Sequence, residues 1–154
     1  MNDAVKQTLL ARVYDVAIES PLDKAAKLSK QLGCDVYLKR EDLQPVHSFK
    51  LRGAYNKIAQ LTDEERKKGV LAASAGNHAQ GVALAAQKLG ISALIVMPRT
   101  TPDIKVEAVK SYGAEVELFG DNYSEAAEYA KRRVEETGRT YIHPFDDPLV
   151  IAGQ

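Results

Sequence analysis

The chain has almost none of the residues that a covalent or metal-bound scaffold needs. Its 154 residues include one cysteine, Cys34, and no tryptophan. A single cysteine excludes an internal disulfide framework and a cysteine-paired metal site, and we predict that Cys34 is a small residue of the core. The three histidines, His47, His78 and His143, lie far apart and lack the spacing of metal ligands, so we expect no metal site.

An excess of charge of one sign is also missing. The chain has 21 Lys and Arg residues against 21 Asp and Glu residues. A balanced charge gives no strong field toward nucleic acid or an acidic membrane surface, so we expect neither as a partner. No stretch approaches the roughly 18 apolar residues of a membrane-spanning helix, and the first residues lack the apolar region of a signal peptide. These features predict a soluble, cytoplasmic protein.

Adjacent glycines are absent as well. The ten glycines are all isolated from one another. A cradle for a phosphate group is usually built from clustered glycines at the N-terminus of a helix. The chain therefore lacks the usual sequence signature of a phosphate-binding loop.

What the sequence does contain is a regular alternation of helical periods and short apolar runs. Helices are predicted over about 3–12, from Ser48, from Thr62 to Gly69, over 77–89, from Thr101-Pro102 to Gly113, over 124–137 and from Asp147-Pro148. Strands are predicted over 35–40, 70–74, 92–97, 115–119 and 140–143. Strands that alternate with helices of this length indicate parallel βαβ units. We therefore predict an α/β fold in three layers, with a parallel sheet of four strands and helices on both faces.

Two motifs carry the chemical information. Ser48–Gly53 (Ser-Phe-Lys-Leu-Arg-Gly) places Lys50 at the start of a helix, and Ser74–Gly81 (Ser-Ala-Gly-Asn-His-Ala-Gln-Gly) joins a strand to a helix. A lysine amine can form a Schiff base, and backbone N–H groups at a helix N-terminus can hold a carboxylate. Either motif alone is common on protein surfaces, but the pair indicates a site for an amino acid.

These motifs, together with two others, resemble a known family. Val13–Ala17, Lys39–Asp42, Gln44–Ala54 and Ser74–Gly81 match, in order, the pyridoxal-phosphate (PLP) enzymes of the tryptophan-synthase-β type, known as fold type II. Within this type the chain resembles the threonine dehydratases. The triplet Lys50-Leu51-Arg52 is similar to the dehydratase and racemase branch, and Gln44–His47 is similar to the biosynthetic rather than the degradative dehydratases.

The resemblance implies a reaction and a set of site residues. Lys50 would form the Schiff base with PLP and take the proton from Cα of the amino acid substrate. Loss of the β-hydroxyl of L-threonine would then give 2-oxobutanoate and ammonia, as in isoleucine biosynthesis. The remaining residues implied are Asn77 at the phenolic oxygen of the cofactor, Phe49 beside the cofactor, Ser74, Gly76 and His78 at the substrate carboxylate, and Gly81 at a close approach of backbone.

The resemblance also implies how the chain divides. Residues 1–40 would be an N-terminal arm from the large domain, 41–145 the small α/β domain, and 146–154 the start of the return into the large domain. In the family, the phosphate-binding glycine run and the serine at the pyridine nitrogen lie beyond the position of Gln154. We therefore expect a truncated chain that binds PLP weakly and is inactive alone, and that associates with itself or with a missing C-terminal half.

Two alternatives stay open at the level of sequence. The chain can be a self-standing α/β domain without catalysis. It can also be part of a related enzyme that dehydrates or racemises serine, because those enzymes share the same motifs.

Overall fold

The computed structural model describes residues 3–154, which form eight α-helices and six β-strands. The helices are α1 (Asp3–Leu10), α2 (Ala26–Leu32), α3 (Lys50–Ala59), α4 (Asp63–Lys68), α5 (Asn77–Leu89), α6 (Asp103–Ser111), α7 (Tyr123–Thr137) and α8 (Pro148–Gly153). The strands are β1 (Leu22–Lys24), β2 (Tyr37–Lys39), β3 (Val70–Ala73), β4 (Ala93–Met97), β5 (Glu115–Leu118) and β6 (Thr140–Tyr141). Val13–Asp15 and Glu41–Leu43 form short 3-10 turns.

A four-stranded parallel sheet lies at the centre, with strand order β5-β4-β3-β6. The two inner strands, β3 and β4, are buried along their whole length. Strands buried on both faces are continuous apolar runs, as in Val70–Ala73 and Ala93–Met97. The predicted α/β fold is confirmed.

The side chains of β3 and β4 point alternately into two apolar layers. Val70 and Ala72 pack, together with Ile95, against α3, α5 and α6. Leu71 and Ala73 pack on the opposite face, against Ala126, Ala130 and neighbouring residues of α7. Helices therefore cover both faces. The connections β3-α5-β4 and β4-α6-β5 both run in the same direction across the sheet. The connection through α7 runs in the opposite direction, from β5 back to β6. Because such crossovers are right-handed, α7 lies on the face opposite to α5 and α6.

Most of the predicted helix boundaries are confirmed by local hydrogen bonds. Thr62 and Glu65 form a reciprocal capping box at the start of α4. Gly90 and Gly138 end α5 and α7 in the left-handed conformation that glycine adopts without steric cost. Asp147 caps α8 by accepting the N–H groups of Leu149 and Val150.

Several details differ from the sequence predictions. Pro102 itself occupies the cap position of α6, no side chain caps that helix, and the buried Thr101 hydroxyl has no hydrogen-bond partner among residues 3–154. β6 has two residues and is shorter than the predicted strand, although the N–H of Ile142 still donates to the carbonyl of Leu71 at 2.8 Å. β1 and α2 were not predicted, since β1 has three residues and α2 has no capping side chain.

Cys34 is exposed, so its predicted place in the core is wrong. Gly33 ends α2 in a left-handed conformation, and Cys34 follows it in the connection to β2. This connection lies outside the apolar clusters of the sheet.

The strand order diverges at the carboxyl ends of β3 and β6. The chain leaves β3 toward β4 on one side, while β6 lies on the other side of β3. In open parallel sheets, ligands bind where the strand order reverses in this way. None of the helices within residues 3–154 has the length and apolar character that a membrane span requires.

Candidate active site

The sequence around Lys50 reverses the chain direction and begins α3. His47 has a φ of 53°, an uncommon left-handed value for a residue other than glycine, and its N–H donates to the carbonyl of Gln44. The hydroxyl oxygen of Ser48 then accepts the N–H of Lys50 at 3.2 Å. This bond satisfies one of the free N–H groups at the start of the helix. Lys50 is thereby held in the first turn of α3, as its motif predicts.

A buried ion pair anchors the same turn from the other side. Arg52 is 9% exposed and donates twice to Glu41, with Nε–Oε2 at 2.9 Å and Nη2–Oε1 at 3.0 Å. Ser20 and Gln44 also donate to this carboxylate. The Arg52 guanidinium lowers the pKa of Glu41 to about 2, with a smaller contribution from Ser20. Two parallel hydrogen bonds fix orientation as well as distance, so α3 is tied to the turn at Glu41–Leu43.

The Lys50 amine is half-buried and faces the end of β6. Its Nζ donates to the carbonyl oxygen of Pro144 at 2.7 Å and lies 5.4 Å from the centre of the Phe49 ring. Within residues 3–154, no carboxylate forms an ion pair with this amine. The amine is therefore a partly desolvated donor that is held by a neutral backbone carbonyl rather than by an acid. Its surroundings support a chemical role.

The loop after β3 presents an anion-binding helix end. Ser74 Oγ accepts the N–H of Gly76 at 3.2 Å, which leaves the hydroxyl hydrogen free to donate. In the part of the chain that the structure describes, no side chain caps the N-terminus of α5. The first N–H groups of a helix have no partner within the helix, and the helix dipole favours a negative charge there. This end of α5 can bind a carboxylate.

His78 lies behind this loop rather than in it. The residue is 4% exposed, and its Nε2 bonds to the carbonyl oxygen of Ile142 at 2.9 Å. Because a carbonyl only accepts, Nε2 carries the hydrogen, and the buried Nδ1 has no partner among the described residues. Burial lowers the pKa of His78 to about 4, with the charge of Lys50 acting in the same direction. The imidazole is neutral at neutral pH and ties α5 to the end of β6.

The turn after β6 is held by two side chains. His143 Nδ1 accepts the N–H groups of Phe145 at 3.3 Å and Asp146 at 2.7 Å. Asp147 accepts two N–H groups of α8 and pairs with Lys57 of α3 at 2.8 Å. The turn between them therefore has a defined shape. Its Pro144 carbonyl is the acceptor for the Lys50 amine.

Gly81 permits the close contact between the two motifs. A Cβ atom at Gly81 would lie 3.0 Å from the backbone nitrogen of Leu51 and 3.0 Å from the carbonyl carbon of Lys50. Such distances are shorter than ordinary contacts, so a side chain at this position would require the backbone of α3 or α5 to shift. The predicted close approach of backbone is confirmed. It places Lys50 about one helical turn from the start of α5.

The structure brings some of the predicted residues into one neighbourhood and leaves others apart. Lys50 shares one neighbourhood with His78 and the end of β6. Asn77 is exposed at the first position of α5, and its side chain has no hydrogen-bond partner within residues 3–154. Phe49 is 43% exposed and borders a cavity of about 460 Å³. That cavity is also lined by Glu41 and Arg52, so Phe49 faces partly away from the loop.

The sequence assigns no functional role to the segment 142–147, although it predicts a strand end and a helix start there. The carbonyl groups of Ile142 and Pro144 are partners of His78 and Lys50, and backbone acceptors leave no signature in the sequence. A usable signal did exist. His143 is the last residue of a predicted parallel strand, and Phe145 and Asp146 follow it, at the end of the sheet where functional residues gather in α/β folds.

Comparison with known proteins agrees with this geometry. The family model described as "Pyridoxal-phosphate dependent enzyme" matches residues 13–154. The chain therefore belongs to the family of pyridoxal-phosphate dependent enzymes.

Within that family the chain is most informatively compared with three proteins. It is 64% identical to a chloroplastic biosynthetic threonine dehydratase of Solanum lycopersicum over 95% of this chain and 24% of that protein. The solved structure of a processed threonine deaminase isoform from the same plant superposes with a TM-score of 0.94 at 56% identity, covering 98% of this chain and 42% of the other. Maize serine racemase superposes with a TM-score of 0.90 at 38% identity, covering 98% and 46%. The chain thus spans about a quarter of the length of the curated relative.

Proposed function

We propose that this chain supplies the lysine-bearing part of the active site of a threonine dehydratase, which converts L-threonine to 2-oxobutanoate and ammonia. The observation that carries the proposal is the position of Lys50 Nζ. It is half-buried, has no acidic partner among residues 3–154, and lies at the carboxyl end of the sheet near the uncapped start of α5. The names of the tomato relative and of its structural counterpart support threonine as the substrate.

The residues present fit one side of pyridoxal phosphate. Lys50 offers an amine that can condense with the aldehyde, and the exposed amide of Asn77 is available for a ring substituent. Gly76 has open space where a side chain would lie, so a ligand can approach its backbone. When bound, the cofactor supplies the electron sink that makes a Cα proton removable.

The chain's own groups would then orient the substrate and move a proton. The free N–H groups at the start of α5 and the hydroxyl of Ser74 hold the substrate carboxylate. Lys50 Nζ accepts the proton from Cα, and Phe49 covers one side of the amine. For His78 the structure supports a narrower role than the sequence motif implies. Its imidazole bonds to Ile142, so only its backbone N–H is available to the carboxylate.

Serine dehydration or racemisation is the second candidate. It is favoured by the TM-score of 0.90 and 38% identity to maize serine racemase. Side-by-side assays with L-threonine and L-serine distinguish the two. We expect 2-oxobutanoate from threonine to form faster than either pyruvate or D-serine from serine.

The Lys50→Ala substitution tests the proposal. The chain spans 24% of the tomato relative, so turnover is measured with the remaining part of that relative supplied as a second polypeptide. We expect the wild-type chain to form 2-oxobutanoate from threonine and the Lys50→Ala variant to form none. The Lys88→Ala variant should keep the activity, because Lys88 is exposed near the far end of α5. Threonine turnover that survives Lys50→Ala contradicts the proposal.

Cofactor binding by the 154-residue chain alone gives a separate measurement. We expect weak or no stable binding at micromolar PLP, because a nest of backbone N–H groups provides the strong charge-assisted bonds to phosphate and the chain has no adjacent glycines. Titration followed by the visible imine absorbance checks this. A saturable site of sub-micromolar affinity that requires Lys50 would show that these residues suffice for binding.

A further inference from the structure

The acceptor of the Lys50 amine is a backbone carbonyl whose position depends on another side chain. Lys50 Nζ and the carbonyl oxygen of Pro144 are separated by 2.7 Å, although the residues lie 94 positions apart. Pro144 belongs to neither a helix nor a strand, so no ladder of backbone hydrogen bonds fixes it. Something else must hold its carbonyl toward α3.

His143 is the group that shapes this turn. Its Nδ1 accepts the N–H groups of the two residues that follow Pro144, namely Phe145 and Asp146. The imidazole also packs edge to face against two rings. The distance between ring centres is 4.7 Å to Phe145 and 6.0 Å to Tyr141. A single nitrogen that accepts two successive N–H groups closes the chain into a tight turn around Pro144.

The far side of the turn is fixed independently. Asp147 accepts the first N–H groups of α8 and pairs with Lys57. Asp147 is tied to α3, and His143 lies at the end of β6. Only the peptide groups between these two residues are then free to change their orientation. The His143 hydrogen bonds restrict these groups directly.

We infer that His143 is a positioning residue for Lys50: its Nδ1 holds the turn in the shape that presents the Pro144 carbonyl to the lysine amine. The inference rests on the proposed role of Lys50 in the reaction. Nδ1 must be unprotonated to accept, so the neutral imidazole carries its hydrogen on Nε2. The carbonyl gives the amine a fixed place whenever that amine is not bonded to a carbonyl compound.

Competitive labelling with acetic anhydride tests the inference on the 154-residue chain without cofactor. Peptide mass spectrometry compares the acetylation of Lys50 with that of exposed Lys88 in the same molecule. His143→Phe keeps the ring and removes the acceptor, whereas His143→Asn keeps an acceptor oxygen at the position of Nδ1. We expect His143→Phe to raise the Lys50-to-Lys88 ratio about fivefold, because an amine freed from its carbonyl is open to the reagent, and His143→Asn to stay close to the wild-type ratio.

The rescue by asparagine separates positioning from a general structural role. Circular dichroism checks that both variants are folded. A folded His143→Phe with the wild-type ratio, or a folded His143→Asn that behaves like His143→Phe, overturns the inference.

The nitrogen NMR shifts of the His143 ring in the wild-type chain provide a test that needs no variant. The measurement is made at a pH above the titration range of imidazole. An unprotonated Nδ1 and a protonated Nε2 support the inference, and a protonated Nδ1 overturns it. Both measurements are independent of turnover, so threonine turnover that survives Lys50→Ala would refute the proposed function without deciding the role of His143.

Discussion

At the scale of single residues, the site depends on charged and polar groups that have been taken partly out of water. Arg52 and Glu41 have little exposed side-chain surface, 11% and 16%, and they pair in a bidentate geometry. The Arg52 guanidinium also lies 5.2 Å from the centre of the Tyr14 ring. Breaking a buried pair leaves one charge without compensation, which costs more than the pair itself contributes. The protonation of Glu41 is therefore coupled to the free energy of unfolding.

We predict that Glu41→Gln removes about 3 kcal/mol of stability at neutral pH. The pKa of Glu41 is lowered from 4.5 to about 2, chiefly by Arg52. Because the folded-state value is the lower one, this contribution is fully present above pH 4.5 and is lost as the pH falls toward 2. Urea unfolding of the wild type and Glu41→Gln across this range measures it.

The matched control for this prediction is Glu107→Gln. Glu107 pairs with Lys110 on an exposed face of α6, where an ion pair contributes little. The free energies of wild type and Glu41→Gln should converge toward acid pH, while Glu107→Gln stays near the wild type throughout. A constant gap between wild type and Glu41→Gln would refute the coupling.

At the scale of elements, two pairs of helices cross at glycine residues, and these crossings bring the motifs together. Gly81 lets α5 meet the start of α3, and Gly53 and Gly153 let α8 meet the middle of α3, where a Cβ on Gly53 would lie 2.6 Å from the carbonyl oxygen of Val150. The atoms in the way are mostly backbone, which cannot move aside as a flexible side chain would. The position of α3, and with it Lys50, is set by glycines on two neighbours.

We predict that Gly81→Ala lowers the free energy of unfolding by about 1–3 kcal/mol. Replacing glycine by alanine inside a helix normally adds about 1 kcal/mol through helix propensity. The 3.0 Å contacts with the backbone of Lys50 and Leu51 oppose this gain and exceed it. Chemical denaturation of the chain measures the net effect.

Gln87→Ala on the same helix is the control, since Gln87 is exposed near the end of α5. It should be neutral or slightly stabilising, because only helix propensity changes. A Gly81→Ala variant that is as stable as Gln87→Ala would mean that α3 can shift without cost, and that the crossing does not fix Lys50.

At the scale of the whole molecule, the outer surface of residues 3–40 is unusually apolar. Leu9, Leu10, Leu22 and Leu32 are each more than 60% exposed. The two strands of this region, β1 and β2, pair only with each other among the described residues. Exposed apolar surface and open strand edges favour association with another chain. The division into an arm over 1–40, a small domain over 41–145 and a return over 146–154 stays a prediction.

We predict that the chain forms a dimer or larger species through this region and the C-terminal turn. Removing residues 1–40 is a poor test, because Val13 and Ala17 are buried and Ile18 is hydrogen-bonded to Gln44. Sedimentation equilibrium of a variant carrying Leu9→Lys and Leu10→Lys is preferable. We expect this variant to shift toward monomer, since each lysine adds repulsion and removes apolar surface.

Ile104→Lys is the control for this experiment, because Ile104 is 78% exposed on α6, away from residues 3–40. It should associate like the wild type. A wild-type chain that is monomeric at high concentration, or equal weakening by both sets of lysines, would rule out the predicted interface.

The sequence by itself determined what depends on neighbours along the chain. Helices and strands form where local signals place them: the spacing of apolar residues, the Thr62–Glu65 capping box, and the glycines after α5 and α7. Each of these signals acts over only a few residues along the chain. The tertiary structure alone decided that β6 lies beside β3, that Arg52 reaches Glu41, and that the Pro144 carbonyl receives the Lys50 amine. These contacts join residues far apart in the sequence, and a backbone carbonyl is the same in every residue. The packing of α3 and α8 against the sheet brings the turn after β6 near the lysine, and the hydrogen bonds within that turn select which carbonyl faces the amine.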